Sequence, residues 1–92
     1  MNIIITDIET LIIFKSEPRF YELESSGKKS NTIRTLNRSE YNEMLIHPPT
    51  HIRIFLKGAP KRDVFFTRKI TDVMYVGSNA IADTYTMLFS WG

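Results

Sequence analysis

The chain has 92 residues, 42% of them apolar, 12% aromatic and 24% charged, enough for one hydrophobic core and one domain over residues 1–92, and well away from disordered compositions. It contains no cysteine, which excludes disulfides and thiolate-held metals and fits a reducing cytoplasm. The net charge of +2 conceals an asymmetry, with −3 on residues 1–27, +7 on residues 28–69 and −2 on residues 70–92, and the basic middle favours a polyanionic partner.

The isoleucine-rich opening, Ile3-Ile4-Ile5 and Leu11-Ile12-Ile13-Phe14, predicts two short strands or one interrupted strand. Asp7 and Glu9 interrupt it and no cleavage site frames it, which argues against a signal peptide, and no run reaches the length of a membrane span. Ser16, Glu17 and Pro18 form a helix start in which the serine hydroxyl would cap. Phe20 and Leu23 would share a face, and Gly27 would close the helix after Ser26. Asn31 to Leu36 reads as a strand. Ser39 would cap a second helix that turns Tyr41, Met44 and Leu45 inward and stops at Pro48-Pro49.

From Thr50 the alternation is plain, with Ile52, Ile54 and Leu56 on one face and His51, Arg53 and Phe55 on the other. Gly58 to Arg62 is a turn. Val64 to Val76 resumes a strand with a bulge expected near Arg68-Lys69, and Gly77-Ser78-Asn79 reads as a further turn. The final run places Tyr85, Met87, Phe89 and Trp91 on one side. These aromatics are read either as core or as stacking platforms for bases. His47 and His51 are separated by two prolines that forbid a shared helix face, which argues against a metal site; none is expected, nor any cofactor.

The segment richest in chemistry is Gly27-Lys28-Lys29-Ser30-Asn31-Thr32-Ile33-Arg34. Alternation along the strand would gather Ser30, Thr32 and Arg34 on one side, next to lysines at a helix C-terminus, and such a group can hold a phosphate or the polar edge of a base. Arg53, Lys61, Arg62 and Arg68, with Lys57 and Lys69, would extend the positive surface if a hairpin joined them; solvated edge-strand lysines account for part of this pattern equally well.

This eight-residue motif resembles the glycine, basic pair, hydroxyl and arginine pattern of ASCH domains, members of the PUA-like superfamily, and the similarity extends over roughly residues 10–92, closest to a phage and bacterial ASCH-like group. The resemblance implies an α+β fold: a small, partly open β-barrel of about five to six strands with one or two short helices. It also implies RNA, nucleotides or modified nucleosides as partners. Some ASCH proteins are amidohydrolases acting on acylated cytidine, and the resemblance would then assign catalytic roles to Lys29 and Thr32. The family's glutamate further along the chain has no counterpart after the motif, which weakens the enzymatic alternative. The leading expectation is therefore a cytoplasmic binding module with Lys28, Lys29, Ser30, Thr32, Arg34, Arg53, Lys61, Arg62 and Arg68 in a basic groove. A phage-type protein-interaction module is the third alternative.

Overall fold

The computed structural model describes residues 2–58 and 64–92, so Lys61 and Arg62 lie outside the described residues. Among the described residues, six strands and two helices follow one another as β1 (Asn2–Ile5), β2 (Thr10–Ser16), α1 (Pro18–Ser25), β3 (Asn31–Asn37), α2 (Arg38–Ile46), β4 (His51–Leu56), β5 (Phe65–Asn79) and β6 (Thr84–Trp91). They form one mixed sheet in the order β1-β2-β4-β5-β6-β3, in which only the β2 and β4 pair is parallel. A parallel pair needs a long crossover, and α1, β3 and α2 lie between these two strands in sequence. No helix among the described residues is long and apolar enough to cross a membrane.

The core lies where alternation sends one side of each strand inward: Ile12, Leu36, Ile52, Ile54, Phe66, Met87, Phe89 and Trp91, with Met44 added by α2. Phe89 and Trp91 are thus core residues, and Tyr85 stacks on Tyr41 with ring centroids 4.2 Å apart. The isoleucine-rich start is a β1/β2 hairpin whose pairing runs from Asn2↔Ile13 to Ile5↔Thr10. Beyond Ile13, β2 pairs with no strand on that side among the described residues.

Several local expectations change. Ser16 ends β2 and makes no helix cap; the N-cap of α1 is Glu17, without a side-chain hydrogen bond. The buried residue of α1 is Glu24, whereas Phe20 and Leu23 are exposed. In α2 the cap is Asn37, two residues before Ser39, and Leu45 is exposed. The β5 bulges fall between Ile70 and Asp72 and between Tyr75 and Gly77, and Gly77-Ser78-Asn79 stays in the strand, paired with Thr86, Tyr85 and Thr84. The reversal comes at residues 80–83, where the Asn79 side chain accepts the N–H groups of Ile81 and Ala82, and Asp83 takes a left-handed φ of 54°.

The sheet does not close into a barrel. Its β3 edge and the open end of β2 face each other without a backbone ladder, and the side chain of Arg34 spans the gap from β3 to β2.

Candidate functional site

Gly27, with φ at 83°, ends α1 in the left-handed conformation a glycine adopts without strain. The chain then doubles back so that the Lys29 N–H donates to the Leu23 carbonyl at 3.0 Å, which brings the Lys29 side chain against the helix it has just left. Its ammonium stands 3.8 Å from Glu24 Oε2 and 5.3 Å from the centroid of the Phe20 ring. β3 begins two residues later, and its inward positions are Thr32, Arg34 and Leu36.

Arg34 is the hub. Its Nε donates to Thr32 Oγ1 at 3.0 Å, Nη1 donates to the Lys15 carbonyl at 2.7 Å, and Nη2 donates to Ser16 Oγ. The guanidinium lies over Phe14, 4.9 Å from the ring centroid. Its burial lowers the pKa from the usual value, opposed by the attraction of the Glu24 carboxylate. Ser16 in turn donates to Glu24 Oε1 at 2.6 Å, so one hydroxyl accepts from a cation and donates to a carboxylate that is only 1% exposed. Glu24 Oε2 accepts no hydrogen bond from a described residue.

These groups wall a slot of about 380 Å³ between the open edges of β2 and β3, with Lys15, Glu17, Phe20, Asn31, Ile33 and Lys57 completing the lining. Lys57 pairs with Glu17 at 3.0 Å across the mouth. Four cations face two carboxylates, leaving a positive excess inside a partly enclosed space.

Of the residues singled out in the sequence, Lys29, Thr32 and Arg34 meet in this slot. Lys28 is exposed and Ser30 half-buried, and neither lines it. Arg53 points to the opposite face of the sheet, since its neighbours Ile52 and Ile54 are wholly buried. Arg68 is on the inner face but serves α1: it lies over Phe66 and donates to the Ser25 carbonyl at 3.1 Å, clamping the last helical turn. The expected single groove is therefore divided.

Sequence reasoning missed Ser16 and Glu24, the two polar residues buried in the slot wall besides Thr32. The signal for Glu24 was its spacing of three from Tyr21, which packs edge-on against Phe66 at 5.4 Å and so marks the buried face of α1. His51 Nδ1 lies 3.5 Å from Glu9 and shares a hydrogen bond with Thr50 Oγ1. No group of three or more His, Cys, Asp or Glu side chains that could hold a metal occurs among the described residues. No protein-family model, curated protein or solved structure matches this chain.

Proposed function

We propose that the chain is a binding module of ASCH, PUA-like character whose slot holds a nucleotide or modified nucleoside, free or at one position of an RNA. The observation that carries this is the state of Arg34. A guanidinium has five N–H groups; three are committed to Thr32, Lys15 and Ser16, and the remaining two stay available in a fixed plane. A fork held in place by the protein loses little freedom on meeting a phosphate or carboxylate, which is how preorganisation converts into affinity. Lys29 adds a mobile charge, and the exposed faces of Phe20 and Ile33 offer apolar surface to a base or ribose.

The test is titration with the four ribonucleoside monophosphates by calorimetry at low and high salt. The wild type is expected to bind at least one of them, more weakly as salt rises, and Arg34→Lys, which keeps the charge but loses the fork, is expected to lose about tenfold in affinity. Equal affinity in wild type and Arg34→Lys, or no binding at all, would remove this reading.

The amidohydrolase alternative gains one specific support. A carboxylate beside Lys29 was wanting after the motif, and Glu24, on the helix before it, stands there at 3.8 Å. Incubation with acylated cytidine followed by mass spectrometry separates the two: turnover that disappears in Lys29→Ala and Glu24→Gln selects the enzyme, and retention without turnover selects the binding module.

A further inference from the structure

We infer that the outer face of the β2-β4-β5 region is a second binding surface, for single-stranded nucleic acid whose bases stack on Phe55, Phe65 and the guanidinium of Arg53. Alternation fixes the face. Ile52, Ile54 and Phe66 point into the core, so Arg53, Phe55 and Phe65 project from the other side, away from the slot and from α1. Phe55 and Phe65 are direct cross-strand partners with ring centroids 5.1 Å apart, and Phe65 is 41% exposed. The pair closes the end of the β4–β5 ladder, and exposed aromatic surface of this kind marks an interaction site.

Arg53 is held rather than free. Its Nε donates to Thr67 Oγ1 at 2.9 Å, and its guanidinium carbon lies 4.5 Å from the Phe65 centroid, so the cation is fixed beside the exposed ring. Bases stack on aromatic rings and on arginine planes alike. Charge selects the occupant. Lys15, which also stands at the rim of the slot, is the register partner of Phe55, and Lys69 is that of His51; both are exposed, so a cation flanks β4 on each side, at opposite ends of the strip. Glu9, beside the His51 end of the strip, lies 3.5 Å from His51 Nδ1. Lysines that protect sheet edges do not explain Arg53, because β4 lies inside the sheet between β2 and β5. Stacked aromatics within a cationic border fit a polyanion with exposed bases better than an apolar protein surface.

The experiment is fluorescence anisotropy with a labelled ten-nucleotide oligouridylate and its duplex form, on wild type, Arg53→Ala, Phe65→Ala and Phe65→Leu, with size-exclusion light scattering alongside. The single strand is expected to bind more tightly than the duplex. Each variant is expected to lose on the order of tenfold, with Phe65→Leu, which keeps the apolar bulk, showing that the ring is what matters. Nucleoside monophosphate binding in the slot should be unchanged in all three, so either site can fail without the other. The inference is overturned if wild type does not bind the oligomer, if the variants bind it as wild type does, or if wild type is a dimer that Phe65→Ala dissociates, which would make a second copy the occupant.

Discussion

Ser16 sits between opposite charges, accepting from Arg34 and donating to Glu24, and neither contact is served by another hydroxyl. Replacing it with alanine leaves a buried carboxylate oxygen and one arm of the guanidinium without their partner, a loss of about 2 kcal/mol and, for a domain of this size, of roughly 10 °C in Tm. Ser16→Ala and Glu24→Gln belong to one network, so the double variant is expected to be less destabilised than the sum of the singles, as denaturant unfolding of all four proteins would show. A simple sum would mean the two residues act apart. The Gly27 turn, Lys29, Thr32 and Arg34 were legible because glycine, charge and strand alternation carry local meaning. Ser16 was not: a serine ahead of Glu-Pro satisfies every local rule for a helix cap, and only the arrival of Glu24 from the following helix shows that the hydroxyl is needed elsewhere. Glu24 stands amid Glu22, Ser25 and Ser26, and no local property distinguishes a glutamate that will be buried from those that face water.

Helix α2 owes its start to a reciprocal cap. Asn37 Oδ1 accepts the Glu40 N–H at 2.8 Å, and the Glu40 carboxylate accepts the Asn37 N–H at 2.9 Å. The pattern Asn-Arg-Ser-Glu was readable in the sequence, and Ser39 merely competed for the same role. Partial burial opposes ionisation of Glu40, but the Asn37 amide favours it, and its pKa is lowered on folding. A carboxylate depressed in the folded state contributes stability at pH values above its unfolded pKa and loses that contribution as pH falls through the folded one. Urea midpoints of wild type and Glu40→Gln are therefore expected to differ most near neutrality and to converge below about pH 4; a difference that does not change with pH would exclude the charge as its cause. Asn37→Ala should cost about 1 kcal/mol at any pH in this range. The strands were more legible than the helices, since β4 and β6 alternate without interruption. The long β5 was not, because Gly77-Ser78-Asn79 has turn composition and only its register with β6 keeps it extended.

At the scale of the molecule, the resemblance suggested a partly open barrel, and what the described residues build is a curled six-stranded sheet in which side chains join the β3 edge to the open end of β2. Contacts between β2 and β3 cannot be read from either strand alone, since alternation gives the face of Arg34 but not the strand that it meets. That bridge carries a consequence for motion. Among the described residues β3 has a backbone partner on one side only, β6, and on its other side Arg34 reaches Lys15 and Ser16. Without the guanidinium, β3 becomes an ordinary edge strand that can open locally while β4 and β5, each paired on both flanks, stay closed. In Arg34→Ala, amide hydrogen exchange across residues 31–37 is expected to accelerate on the order of tenfold more than across β4, the equivalent of about 1.4 kcal/mol of local stability. Uniform acceleration throughout the sheet would mean that Arg34 contributes only to global stability. The selective result would mean that the residue offered to a ligand is also the fastening of the slot. A ligand bound to the two spare N–H groups would then have to work with that fastening in place, and wild-type protein saturated with a bound nucleotide should show β3 amides slowed relative to the free protein.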